Sequence, residues 1–348
     1  METKRVYIDA SCPDPSDLRE AVELLRAGQV VAFPTETVYG LGANALDAEA
    51  CAKIFQAKGR PQDNPLIVHI SDRQMAESLV ANWNEAAERC VAAFWPGPLT
   101  LVLPKSPVVP DRVTAGLGTV AIRYPAHPVA QALIAQAGLP IAAPSANLSG
   151  KPSPTSGRHV WRDLRGKIPL ILDAGACSVG LESTVLDLSG DVPTILRPGG
   201  VSREQLAGVL GRVELDSSDS QSVPKAPGMK YRHYAPQGEM LLVLGPRERV
   251  LQRMTEEIHR ARSRLKTVGI LCTLESAPQL HSKLPDLLFV LGSENRPEEV
   301  PGSLFEGLRL CDERQVDVVL AEGIDQGGIG LAIMNRLEKA AGHRVVQV

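Results

Sequence analysis

Aromatic residues make up only 4% of this 348-residue sequence, and its formal net charge is just −3. Scarce aromatics leave the cores to Leu, Val, Ile and Ala, which suits repeated β-α units better than an aromatic-rich sandwich. A near-neutral chain argues against a protein built mainly to grip a phosphate backbone, while leaving room for a local cationic pocket. No stretch approaches the ~18 consecutive apolar residues of a membrane span, and the opening METKRVYIDA lacks the apolar centre of a signal peptide. The six cysteines, at 12, 51, 90, 177, 272 and 311, contain no CxxC pair. They read as free thiols of a reducing compartment, not as a disulfide framework or zinc site. Together these absences point to a cytoplasmic location. The chain also has no GxxxxGK[ST] phosphate loop and no GxSxG elbow around Ser145.

What is present is an ordinary globular composition, 44% hydrophobic and 22% charged, long enough for two cores. Residues 16–27 place Leu18, Ala21, Val22 and Leu25 on one helical face, with Asp17 and Glu20 resembling a capping box. A buried strand at 30–34 follows, then a helix at 48–56 and a strand at 66–70. Two helical segments at 72–94 precede strand-like runs at 99–103, 120–123, 141–143, 170–172 and 184–188. Several of these runs have no helix between them, so antiparallel as well as parallel pairing is expected. The fold class is therefore α/β, with an irregular mixed sheet over 1–211. Residues 212–237 read as a linker rich in Ser, Asp and Pro. Residues 238–348 spell a smaller α/β domain with strands at 240–245, 267–272, 286–292 and 316–323.

Chemistry gathers where strands end. FPTETVYGLGANA (33–45) offers Thr35, Thr37 and Tyr39, with Gly40 and Gly42 allowing close backbone approach or positive φ. AKGRPQDNP (57–65) sets Lys58 and Arg60 beside Gly59, a pair suited to a polyphosphate, with Asn64 bracing the loop. His69 sits in an apolar strand, where a lone histidine is more often a satisfied core residue. Thr119 and Arg123 bracket another strand, and an arginine there can receive a carboxylate bidentately. PIAAPSANLSGKPSPT (140–155) delivers Ser145, Asn147 and Ser153 from a small apolar strand, either as an anion nest or as a plain surface loop. GLESTVLDL (180–188) and RPGG (197–200) add Glu182, Ser183 and Arg197. Donors outnumber general bases, which favours charge stabilisation and positioning, the way nucleotidyl transfer is catalysed.

These motifs in this order, together with FWPGPLTLVL and APGMKYRHYAP, closely resemble the YrdC-type threonylcarbamoyl-AMP synthases in their long, two-domain form. The resemblance implies a twisted mixed-sheet catalytic domain with a second, smaller Rossmann-like domain. It implies ATP-dependent conversion of L-threonine and bicarbonate or CO2 to L-threonylcarbamoyladenylate and pyrophosphate. The product would serve N6-threonylcarbamoylation of adenosine 37 in ANN-decoding tRNAs, through a separate transfer protein, with tRNA not a direct substrate.

Carried across by motif, Thr35, Tyr39, His69, Arg123, Ala143 and Ser183 would meet threonine or its carbamoyl derivative, Ala143 through backbone groups alone. Lys58, Arg60, Asn64, Thr119, Ser145, Asn147, Ser153 and Arg197 would hold ATP. Tyr231, His233 and Tyr234 would reach over the nucleotide as a lid. Lys58, Arg60 and Arg197 would carry the catalysis, with Mg2+ expected through the ATP phosphates and no protein metal site. For His69 this resemblance displaces the core reading. Rival readings are an RNA-binding module, a carbamoyl-phosphate-dependent transferase and a retired enzyme. The first lacks an RRM, KH or zinc-knuckle signature, the second lacks zinc-type cysteine spacing, and intact polar motifs count against the third.

Overall fold

The computed structural model describes residues 1–216 and 234–348. The chain divides into two compact units. One takes Met1–Ser149 and resumes at Ser153; the other groups Gly150–Pro152 with the C-terminal residues through Val348.

Among the described residues the first unit carries an 11-stranded sheet. Its strands are β1 (Lys4–Tyr7), β2 (Val31–Phe33), β3 (Gly40–Asn44), β4 (Ile67–His69), β5 (Leu99–Pro104) and β6 (Thr119–Arg123). They continue as β7 (Ile141–Ala142), β8 (Leu170–Asp173), β9 (Thr184–Asp187), β10 (Thr194–Arg197) and β11 (Glu214–Leu215). Their spatial order is β1-β8-β2-β3-β7-β4-β6-β5-β9-β10-β11. Pairing is mixed: β4 runs parallel to β6 and β5 to β9, whereas β5–β6, β4–β7 and β9–β10 are antiparallel. The stretch expected to be linker from 212 begins as an edge strand, because β11 pairs in parallel with β10.

Two expectations need correction. The helix Pro15–Arg26 is capped by Asp14, whose side chain accepts from the Ser16 amide, and not by Asp17. Pro15 at the first helical position, with its fixed φ and missing N–H, favours the earlier start. Leu18, Ala21, Val22 and Leu25 are buried as the periodicity requires. Gly40 and Gly42, expected only as residues following the strand at 30–34, belong to a strand of their own, β3. A Cβ on Gly42 would lie 2.6 Å from Ile141 Cγ2 and 2.7 Å from Phe33 Cε1, so glycine makes room for the Phe33 ring.

The two faces of this sheet differ. Alternate residues of a strand point to opposite faces. Ala32, Leu41, Ala142, Val68, Ile122, Leu101 and Leu186 share one face and one large apolar cluster. Val31, Phe33, Ile141 and Ala143 point the other way and pack on helices Pro15–Arg26 and Pro128–Ala137.

The second unit has a sheet of five strands among the described residues: β12 (Glu239–Leu244), β13 (Val268–Thr273), β14 (Leu287–Gly292), β15 (Val318–Glu322) and β16 (Val345–Gln347). The order is β14-β13-β15-β12-β16 and every pair is parallel. Parallel pairing requires crossovers, supplied by helices such as Arg247–Arg262 and Val300–Glu313.

Candidate active site

From β4 outward, the second face of the large sheet turns polar. His69 pairs with Arg123, and Arg123 with Thr100 on its other side. Thr100 pairs with Val185, and Val185 with Arg197 across a register shift in β9–β10. Residues paired across strands share a face, so His69, Arg123, Thr100 and Arg197 form one row. The next row inward is the apolar Ile67, Ala121 and Val102, a small cluster that also includes Val185. Thr119 lies on this face at the far end of β6, half-buried and paired with Pro104.

Each charge in the row is held in place. Arg123 is 3% exposed. One guanidinium nitrogen lies 2.7 Å from the Glu36 carboxylate, another donates to Thr37 Oγ1 at 2.8 Å, and Nε donates to the Gly97 carbonyl at 3.3 Å. Burial pushes the Glu36 pKa upward, but the charge and hydrogen bonding of Arg123 outweigh it and hold Glu36 below its usual value. Thr35 Oγ1 lies 2.8 Å from Thr37 Oγ1 and donates to the Val38 carbonyl, which folds the PTET turn onto the guanidinium. His69 is buried, edge-on to the Phe33 ring, and its Nδ1 has no hydrogen-bond partner among the described residues. Burial, then the neighbouring Arg123 charge, pushes its pKa down to about 3. The imidazole is neutral at physiological pH.

Beyond Arg123, Thr100 Oγ1 and Ser183 Oγ are 2.7 Å apart. Arg197 donates to the Ser183 carbonyl through Nη2 at 2.9 Å and Nε at 3.2 Å, and to Ser183 Oγ at 3.3 Å. The preceding residue, Glu182, accepts from Ser153 Oγ at 2.5 Å. A second knot forms around Lys58. Gly59 ends the helix Ala48–Lys58 in the left-handed region at φ 61°, which fixes Lys58 as its last residue. The Lys58 ammonium donates to the carbonyls of Ser145 and Asn147 and to Asn147 Oδ1, and Ser145 Oγ donates to the same Oδ1.

The sequence matches a family model described as telomere recombination over residues 23–199. Residues 201–342 match the threonylcarbamoyl-AMP synthase C-terminal domain. The chain is 50% identical over 334 residues to a threonylcarbamoyl-AMP synthase of Pyrococcus abyssi, across 95% of this chain and 96% of that protein. It is 49% identical over 354 residues to the threonylcarbamoyl-AMP synthase of Bacillus subtilis, with both covered completely at 100%. The chain belongs to the threonylcarbamoyl-AMP synthase family. Among solved structures, P. abyssi Sua5 complexed with L-threonine superposes at a TM-score of 0.94, with 48% identity, covering 99% of this chain and 100% of that one.

Within this family member the structure links the expected residues in two groups. Thr35, His69, Arg123, Ser183 and Arg197 are joined through the polar row and its neighbours. Lys58, Ser145 and Asn147 form the second group. Ser153 joins the first through Glu182. Ala143 directly follows β7 on the same face, with its N–H committed to the Ile67 carbonyl. Arg60 is half-buried and donates to the Pro65 carbonyl at 3.2 Å, while the Oδ1 of buried Asn64 has no partner among the described residues. Tyr39 is not brought to the polar face. Its ring is in the opposite core, and its hydroxyl donates to Asp173 and the Gly175 carbonyl. The ring of Tyr234 lies against Phe305 in the second unit, tilted by 31° with the centroids 5.2 Å apart. Tyr231 and His233 lie outside the described residues. Two partners were not anticipated as site residues, Glu36 and Thr100, and Thr37 was expected only as a hydroxyl without a partner. Their signal was available in PTET and PGPLT, where polar side chains interrupt otherwise apolar strand boundaries.

Proposed function

We propose that this chain joins L-threonine, bicarbonate or CO2, and ATP into L-threonylcarbamoyladenylate and pyrophosphate. The observation that carries this reading is the polar row on one sheet face, where a neutral buried His69 adjoins Arg123 and, beyond Thr100, Ser183 and Arg197. The names of the full-length relatives support it, as does the threonine complex of one of them.

In this mechanism Arg123 receives the amino-acid carboxylate, its orientation set by Glu36 and Thr37. Thr35, Ser183 and the unpartnered nitrogen of His69 offer hydrogen bonds to the remaining polar groups of threonine. The amine adds to CO2 with release of a proton to solvent, or to bicarbonate with loss of water, and becomes a carbamate. A carbamate oxygen attacks the α-phosphorus; the bond from that phosphorus to the bridging oxygen breaks, and its electron pair leaves on pyrophosphate. Lys58, Arg60 and Arg197 offset the charge that builds on the phosphates. Asn64, Thr119, Ser145, Asn147 and Ser153 orient the nucleotide, with Lys58 fixing the 145–147 turn. Mg2+ would be carried on the phosphate oxygens of the nucleotide itself, where it would offset charge alongside Lys58, Arg60 and Arg197.

The product is the donor for N6-threonylcarbamoylation of adenosine 37 in ANN-decoding tRNAs, transferred by a separate protein. The test is incubation with ATP, bicarbonate and isotopically labelled threonine. Labelled threonylcarbamoyladenylate with equimolar pyrophosphate is expected; pyrophosphate release that does not depend on threonine would overturn the reading.

A further inference from the structure

The second unit contains a cavity of 260 Å³ at the N-terminal edge of its parallel sheet, where β12 and β15 begin and the chain enters β16. Open α/β sheets place ligands at the opposite, C-terminal edge, so this cavity is not the default crevice of the fold. Its floor is apolar and buried: Met240 is 1% exposed and Leu320 0%. Its walls carry Arg253, Arg260, Arg264, Lys266 and Arg344. Two carboxylates of the lining, Glu239 and Glu257, face these five cations, and the Asp317 carboxylate acts on Lys266 from outside the lining.

Those carboxylates do not neutralise the wall. Glu257 is occupied by Arg253 at 2.8 Å and Arg260 at 3.0 Å. Glu239 is shared at longer range, 3.6 Å from Lys266 and 3.9 Å from Arg344. The Arg264 side chain makes no ion pair or hydrogen bond among the described residues, and it is exposed at the rim. Cations over a low-dielectric floor attract anions more strongly than the same cations on open surface. Guanidinium forks match the paired oxygens of a phosphoryl group.

We propose that this cavity binds a small phosphorylated anion of about pyrophosphate size. The volume falls below the range of about 300–1,000 Å³ typical of drug-sized ligands, which leaves little room for a base and sugar. No aromatic ring lines it, so it lacks the stacking platform by which single-stranded nucleic acid is held. Lys266 and Arg344, already loosely held by Glu239, turn to the incoming phosphoryl oxygens, and Arg264 closes over them.

The test is amide hydrogen exchange on the full chain, with and without sodium pyrophosphate, against sodium chloride at matched ionic strength. Pyrophosphate is expected to protect the amides at 239–241 and 261–266, a local readout that binding at the polar row of the first unit would not give. The double variant Arg264→Ala/Arg344→Ala should raise the half-saturating concentration for this protection about tenfold or more while leaving threonine-dependent pyrophosphate release unchanged. Lys266→Gln, at a half-buried position, should weaken it in the same direction. Four results would overturn the proposal: no protection at these amides, the same protection from chloride, undiminished protection in the double variant, or a short RNA that outcompetes pyrophosphate and extends the footprint beyond the cavity.

Discussion

Replacing Arg123 by Met removes a charge from a pair in which both side chains are almost fully enclosed, 4% exposed for Arg123 and 8% for Glu36. The carboxylate left behind has lost the ion pair that offset its burial. Breaking one side of such a pair costs about 3–5 kcal/mol, a large share of the ~5–15 kcal/mol typical of a whole domain. Adding Glu36→Gln removes the stranded charge, so the double variant should recover to within about 1–2 kcal/mol of the parent. The measurement is urea unfolding followed by tryptophan fluorescence. All three tryptophans, Trp83, Trp95 and Trp161, belong to the first unit and report on it alone. Acidity gives a second check. In the parent, Glu36 titrates below its ordinary 4.5, so its contribution is present above that pH and is lost as pH falls through the lowered folded value. In Arg123→Met, burial alone raises the folded value, and acid relieves the stranded charge. The gap between parent and variant should narrow as pH falls toward about 4.5, where the variant is relieved, and further below it, where the parent loses its contribution. A cost under about 1 kcal/mol, or the same cost with Glu36→Gln present, would refute the buried-pair account. Pyrophosphate release should stay low in the stable double variant, because the partner we propose for the threonine carboxylate is still missing.

His69 should show no imidazole titration by NMR between pH 5 and 8, since its folded pKa is pushed from 6.5 to about 3; an inflection in that range would contradict its burial. Its stability contribution is fully present above pH 6.5 and falls by about 1.4 kcal/mol per unit as pH drops toward 3, because only the unfolded ring takes the proton there. Lys58→Met should lose about 1–3 kcal/mol of first-unit stability along with activity, since carbonyls of Ser145 and Asn147 lose their donor. Arg60→Ala, at a half-buried position, should lose threonine-dependent pyrophosphate release with nearly unchanged urea unfolding, and equal release would remove it from the site.

Much of the fold could be read directly because strands such as Ile67–His69, Leu99–Pro104 and Val268–Thr273 are short apolar runs between turns. β3 escaped that reading. Gly-Leu-Gly-Ala-Asn has no β-branched side chain, and only the packing of Phe33 and Ile141 explains its glycines. The motif resemblance assigns Tyr39 to the pocket, and the residues alone could not place it in the core, because its partner Asp173 is 134 residues away. The cap at Asp14 was hidden by a second plausible acidic start at Asp17. The cationic site residues stood out individually. What held them did not, because Thr37 and Arg123 are separated by 86 residues and meet only once the turn after β2 folds against the end of β6.

The alternation along β6 carries a consequence for how this enzyme accumulates change. Val120 and Ile122 point into sealed hydrocarbon, while Thr119, Ala121 and Arg123 lie on the face that carries the polar row, where we place the reaction. Neighbouring codons therefore answer to different selective pressures, folding yield at one and turnover at the next. A five-position scan of this strand should trace a saw-tooth, with abundance and catalytic rate falling at alternate residues.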